Sequence, residues 1–365
     1  MATVLADVEW ESCPLGTHRD RELEAYVRRE MGTVPPSLGH FTPVPWVVHS
    51  MTALGPFNAP PRQCEDVLLD LIGLVVSQDN SCRYCFGMTR MLLRVHGFSD
   101  ARIRELEHDF LEAGIDPRSK AAMDFARRLS RAAPRIGVTD LAEVRAAGWS
   151  ADAVRELACI SAYSSYMNRL MTVSAVPYEP MERLATAWFV PWVAPIVRFR
   201  MRRRLKQAAE RARASGEVRA DGPWSFLIRA LAGTAFARPL RETLDAAFAS
   251  PVLSRRAKAL VFAVVARGLD CAASAREAQG ILLESGLAAE QVHAMLTHLD
   301  SPELEPVEAA LLPFARGTIR GRPAQLQQRT RAFAQTFGDQ RTVEAIALAA
   351  LANAVCRLGA LTELG

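Results

Sequence analysis

The chain has 365 residues, of which 50% are hydrophobic and 23% charged, with a formal net charge of +4. That length and apolar content suit two domains with cores of their own, and so mild a charge argues against a nucleic-acid partner. Alanine and leucine abound and no strand-like alternation persists, so the expected fold is all-α.

Residues 1–60 are expected to form a helical or irregular arm. Arg19 to Arg29 is charged and helix-prone, after which Pro35, Pro36, Pro43, Pro45, Pro60 and Pro61 interrupt regular structure. The apolar run Pro45-Trp46-Val47-Val48 is expected to pack over the first domain. Helices are then predicted at roughly 62–79, 81–96, 99–113, 117–132, 139–147 and 150–173, with Gly97, Gly114 and Gly148 at helix ends. A domain spanning 61–180 follows from these boundaries.

Residues 181–248 form a connector. Trp188-Phe189-Val190-Pro191-Trp192 and Pro195-Ile196-Val197 are apolar, and the chain then turns basic at Arg198, Arg200, Arg202, Arg203, Arg204 and Lys206. The apolar run is shorter than the ~20 residues a spanning helix needs, and prolines interrupt it. The expectation is a connector with a solvated basic face; aromatics beside arginines also suit peripheral contact with an anionic membrane through 188–206. Ala214 to Pro223 is expected to be a loop.

The most informative segment is Asp79-Asn80-Ser81-Cys82-Arg83-Tyr84-Cys85-Phe86-Gly87-Met88. Asp79, Asn80 and Ser81 are all suitable N-cap residues, and an apolar helical pattern follows. Two cysteines in the first turn of a helix share a face, sit where a thiolate is electrostatically favoured, and are close enough to bridge. The seven cysteines (13, 64, 82, 85, 159, 271 and 356) are odd in number and mostly isolated. Together with the lack of a basic and apolar leader pattern at Met1 to Asp7, this points to a reducing, cytoplasmic setting. There a C-x-x-C pair is catalytic, redox-sensing or metal-binding. Zinc would need two more ligands, and no second C-x-x-C or H-x3-H is present, so no metal is expected.

The chain also repeats itself. At a constant offset (271 − 82 = 189), Val75, Val76, Cys82, Leu93 and Gly97 coincide with Val264, Val265, Cys271, Leu282 and Gly286. Pro117 and Phe125-Ala126-Arg127 meet Pro306 and Phe314-Ala315-Arg316, and after a shift of one Asn168-Arg169-Leu170 meets Cys356-Arg357-Leu358. A duplicated domain at 249–365 is therefore expected. Ser274 faces Cys85, so dithiol chemistry is expected in the first copy alone and the second copy is expected to be degenerate. Arginines recurring at equivalent places (127 and 316, 169 and 357) suggest a fold requirement, such as bonding to helix C-terminal carbonyls or to a carboxylate.

Asn80-x-Cys82-x-Tyr84-Cys85 followed by Leu92-Leu93-x3-Gly97-Phe98-Ser99-Asp100-x2-Ile103 resembles the core of the alkyl-hydroperoxidase-D-like superfamily, which includes carboxymuconolactone decarboxylase. The resemblance covers about residues 60–180, and 249–365 more weakly. It implies two tandem all-α helical domains packed as a pseudo-dimer, an internalised form of the pairing that single-repeat members make between subunits. It also implies a thiol-dependent oxidoreductase, antioxidant and peroxidase-like or working by disulfide exchange; in the peroxidase form Cys85 attacks a hydroperoxide, Cys82 resolves the sulfenic acid, and an external dithiol regenerates the pair. No cofactor is implied, and a further homo-oligomer is.

Two positions depart from the family pattern. Peroxidase-type members carry a histidine four residues after the second cysteine, where this chain has Thr89; the family glutamate is here Asp70. Without the histidine, activation of the thiol would fall to the helix N-terminus and to Arg83 or Arg90. Asp70 is the carboxylate candidate, and Tyr84, Thr89 and Asp79 are pocket or relay candidates. His96 is too far along its helix from Cys85 to replace the histidine from there. Two other readings stand beside this one: a decarboxylase or isomerase on the same fold, and a non-catalytic interaction or membrane-peripheral protein.

Overall fold

The computed structural model describes residue 5 and residues 8–177, 190–214, 216 and 218–364; the start of the apolar connector, including Trp188 and Phe189, lies outside the described residues. All regular structure among the described residues is helical. The arm holds α1 (Arg21–Met31), a 3-10 turn (Pro36–His40) and α2 (Pro45–Ala53). The first half continues with α3 (Asp66–Asp79), α4 (Arg83–Val95), α5 (Asp100–Asp109), α6 (Pro117–Ser130), α7 (Val138–Ala146) and α8 (Ala151–Val173). Beyond it come α9 (Val190–Ala214), α10 (Ser225–Ala230) and α11 (Ala237–Ala249). The second half holds α12 (Arg255–Gly268), α13 (Ala272–Glu284), α14 (Ala289–His298), α15 (Pro306–Arg320) and α16 (Pro323–Thr362).

Local chemistry sets the helix limits. The side chains of Ser99, Asp116, Ser150 and Ser254 each cap the helix that follows by accepting from a backbone N–H in its first turn. Gly97 and Gly286 take the same left-handed conformation (φ 96 and 91) beyond α4 and α13, where a Cβ would be strained. Gly338 (φ 78, ψ 169) breaks α16 into two arms. The second arm, 339–362, is almost wholly buried and runs along α8 at the centre of the molecule. By length and composition α16 could cross a membrane, but 89% of its most apolar window is buried inside the protein.

The two halves present the same helix order and grip each other reciprocally. Arg169 on α8 donates from Nε to the Thr318 carbonyl at the end of α15 (3.2 Å). Arg357 on α16 donates from Nε to the Ser130 carbonyl at the end of α6 (2.8 Å). Donors and acceptors stand at one offset (357 − 169 = 188; 318 − 130 = 188). Each guanidinium thus satisfies a carbonyl that its helix terminus leaves without a partner, as the recurrence of these arginines suggested. The correspondence reaches upstream of residue 61: the 3-10 turn and α10 begin 189 apart (225 − 36 = 189), and α2 packs on α11. Trp46 of α2 also donates from Nε1 to the buried Glu344 of α16 (2.9 Å), so the arm is wedged against both halves.

Candidate active site

The turn from α3 into α4 places the two cysteines. Ser81 adopts a left-handed conformation (φ 52) and the Cys82 N–H returns to the Ser77 carbonyl (2.9 Å), so the chain reverses tightly. Cys82 is then the N-cap of α4, and its Sγ accepts the Cys85 N–H at 3.4 Å. Burial alone would raise the Cys82 thiol. The Cys85 N–H bond, the Cys85 thiol, the Tyr84 N–H and nearby Thr172 outweigh it and lower the pKa. Cys85 moves the opposite way: burial pushes it well above the ordinary thiol range, and its hydrogen bond to Cys82 adds to the shift. Of the pair, Cys82 is therefore the sulfur that gives up its proton more readily and Cys85 the one that keeps it. Both sulfurs are free thiols.

Cys85, half-buried, stands on the wall of a mostly apolar cavity of about 590 Å3, whereas Cys82 is sealed beneath it with 0% exposure. Asp70, Tyr84 and Thr89 share that wall. The Tyr84 hydroxyl hydrogen-bonds the Ser37 hydroxyl (2.9 Å). The Thr89 hydroxyl turns back on its own helix, donating to the carbonyls of Cys85 and Phe86 (3.1 and 3.0 Å). Asp70 meets the His96 Nε2 at 3.0 Å, both side chains being nearly buried. His96 thus serves as the partner of Asp70 on the neighbouring helix. Burial raises the Asp70 carboxyl and the His96 hydrogen bond partly offsets it.

Asp79 lies elsewhere. It pairs with Arg131 (2.8 Å) on the wall of a separate cavity, away from Cys85. The expected activation by Arg90 is not what the structure has: Arg90 Nε pairs with Glu107 (2.8 Å) and its guanidinium lies over the Phe86 ring. Arg83 donates to the Val8 carbonyl (3.4 Å). The groups that favour charge on Cys82 are instead the Cys85 thiol and helix N–H groups, with Thr172 brought near from α8.

Other wall residues were not read from the sequence as parts of this site. Tyr163 of α8 lines the cavity, and its phenol is raised by burial and by nearby Cys85. Asn168 accepts from the Ser77 hydroxyl (3.0 Å). From α9, Val197, Arg200, Met201 and Arg204 close one side of the cavity with one helical face. Arg204 brings a buried Nη1 with no hydrogen-bond partner. The opposite face of α9 carries Trp192 (77% exposed), Ile196 and Phe199 (66% exposed), followed by Arg203. Among the described residues, no three His, Cys, Asp or Glu side chains cluster as metal ligands would.

The second half corrects one expectation. Cys271 occupies the N-cap position of α13 as Cys82 does that of α4, though its sulfur accepts no backbone N–H there, and although Ser274 occupies the place of the second thiol, Cys356 of α16 lies against the Cys271 sulfur. A pair of thiols is therefore present in each half.

No family model matches the chain, and no curated protein matches it. Among solved structures, it is similar to an uncharacterized peroxidase-related protein from Silicibacter sp. TM1040, with 20% identity and a TM-score of 0.42 over 48% of this chain and 96% of that one. It is also similar to an alkylhydroperoxidase AhpD core protein, an uncharacterized peroxidase-related protein from Ralstonia eutropha JMP134, with 18% identity and a TM-score of 0.40 over 50% of this chain and 92% of that one. The similarity spans about half of this chain, and the chemistry rests on the site's own geometry.

Proposed function

We propose that the protein is a tandem-duplicated member of the alkyl-hydroperoxidase-D-like superfamily and a thiol-dependent peroxidase for organic hydroperoxides. One observation carries this reading: Cys85 faces an apolar cavity of about 590 Å3 while its hydrogen-bond partner Cys82 lies sealed beneath it. A cavity of that size holds an organic molecule and favours an apolar one.

The missing histidine has a substitute in the geometry. Cys85 sulfur attacks one peroxide oxygen as its proton passes to the Cys82 thiolate, which acts as the base. The O–O bond breaks, the alkoxide leaves and takes a proton from water, and Cys85 becomes a sulfenic acid. Cys82 then attacks the Cys85 sulfur, and its proton leaves with the hydroxyl as water. In sum, two thiols and one hydroperoxide give a disulfide, an alcohol and water. An external dithiol restores the pair by exchange.

The test is consumption of cumene hydroperoxide with dithiothreitol as reductant. Cys85→Ser is expected to abolish turnover, and mass mapping of the peroxide-treated chain is expected to show a Cys82–Cys85 bridge. Full activity in Cys85→Ser would end this reading.

Asp70 and His96 support a second reading. A carboxylate–imidazole pair whose carboxylate lines the same cavity can move protons for a decarboxylase or isomerase without sulfur chemistry. Such activity would survive Cys85→Ser and fail in Asp70→Asn, the reverse of the peroxidase pattern.

A further inference from the structure

Cys271 repeats the backbone setting of Cys82. Asp270 before it is left-handed (φ 54), its N–H returns to the Ala266 carbonyl (2.9 Å), and its backbone (φ −100, ψ 92) opens α13 as an N-cap. What differs is the origin of the second thiol. In the first half it comes from the same helix, three residues on. In the second it comes from α16, where Cys356 stands at the place Asn168 holds on α8 (356 − 168 = 188), beside the matched arginines.

Packing brings the two sulfurs together. Gly359 lies one turn after Cys356 on the same face of α16, and a Cβ there would come within 2.9 Å of the Cys271 Sγ. A glycine at this point lets α16 lie directly on the sulfur. The Cys356 S–H faces Cys271 as a hydrogen-bond donor, and with Ser274 alongside it lowers the Cys271 thiol to about 7 despite its burial. Burial and the same S–H bond push Cys356 well above the ordinary thiol range.

Cys271 lies at the inner wall of a cavity of about 260 Å3, together with Arg267, Asp270, Gln279 and His293. Cys356 does not line it. This cavity falls below the roughly 300–1,000 Å3 typical of organic-ligand pockets. It suits a small polar oxidant. Relative to the first site the roles are exchanged: the sulfur on the cavity wall is the one carrying charge.

We propose that Cys271 and Cys356 are a second redox dithiol, in which Cys271 reacts with hydrogen peroxide through this cavity and Cys356 closes the disulfide. Cys271 thiolate attacks one peroxide oxygen, the O–O bond breaks, and the departing hydroxide takes a proton from solvent. Cys356 sulfur then attacks the Cys271 sulfenic acid, and its proton leaves with the hydroxyl as water. Two thiols and one hydrogen peroxide yield one disulfide and two waters, and an external dithiol reverses the oxidation.

The decisive experiment uses the full chain carrying Cys82→Ser and Cys85→Ser, so that its outcome does not depend on the first site. After stoichiometric hydrogen peroxide, free thiols are blocked with N-ethylmaleimide and disulfides mapped by mass spectrometry. The expected result is one Cys271–Cys356 bridge that dithiothreitol removes. Adding Cys356→Ala is expected to leave Cys271 as a sulfenic acid that dimedone labels. The same bridge is expected in the unmutated chain, which covers the case of a variant that does not fold. If Cys271 and Cys356 both stay fully alkylatable after peroxide in the unmutated chain, or if Cys271 bridges to another cysteine, the proposal is overturned.

Discussion

At the scale of single residues, the decisive asymmetry is between two sulfurs three positions apart. Cys82 is wholly buried, which by itself disfavours a thiolate, yet the hydrogen bonds aimed at it reverse the shift. Cys85 has the cavity but keeps the proton. If Cys82 is the base, removing it strands Cys85 with a raised pKa and no acceptor. Cys82→Ser should then lower hydroperoxide consumption at pH 7 by roughly 10²-fold or more, even with dithiothreitol supplied to resolve the sulfenic acid. The sign follows from Cys85 being shifted up. The residual rate should climb with pH through and above the ordinary thiol range, whereas the unmutated pair should already be active below it. A pH profile that does not move would leave Cys82 as a resolving thiol only. The C-x-x-C spacing made the pair legible in the sequence, but not which sulfur holds the charge. That depends on Thr172, 90 residues on (172 − 82 = 90), and on which sulfur the helix start buries.

Several helices shape the cavity, and they were unequally visible beforehand. Helices α3 and α4 follow the apolar period closely, and their observed limits fall within a few residues of the expected ones. Their close approach depends on Gly73, where a Cβ would lie 2.7 Å from Thr89 Cγ2. Thr89 cannot swing aside without giving up the hydroxyl bonds to its own helix. Gly73→Ala should therefore destabilise the fold by about 1–3 kcal/mol in urea unfolding, the usual cost of overpacking. Adding Thr89→Ala, which deletes the opposing methyl, should restore part of it; a purely additive double variant would show that the contact is not the cause. Helix α9 was seen in the sequence only as a basic connector, because nothing local says that Arg200 and Arg204 face a cavity floored by Cys85. Its other face remains apolar and then basic, which suits an anionic bilayer. The chain should co-sediment with phosphatidylserine vesicles at low salt, and the triple variant Trp192→Ser, Phe199→Ser, Arg203→Ala should stay in the supernatant while consuming peroxide normally. Equal sedimentation of both would remove the membrane contact.

Across the whole molecule the two halves depend on each other through the crossed arginines. The repeat itself was legible from the offset between matching residues, because small residues, glycines and cysteines keep their places where backbone geometry demands them. The pairing at Cys356 was not: Ser274 and Cys356 are 82 residues apart (356 − 274 = 82), and only the packing of α16 at Gly359 brings Cys356 to Cys271. The arginines make the dependence testable. Arg357 belongs to the second half but satisfies the carbonyl that ends α6 in the first, at a buried site where an unpaired acceptor costs about 1–3 kcal/mol. Arg357→Met keeps an apolar stem of similar reach and removes the donor. It should lower global stability by about 1.5–3 kcal/mol, as for a lost hydrogen bond to a charged group. It should also raise amide hydrogen exchange in the last turn of α6, in the half that carries no substitution. Arg169→Met should do the same to the end of α15. If exchange rises only around each mutated helix and not at the partner carbonyl, the halves are merely in contact and do not hold each other's helix ends in place.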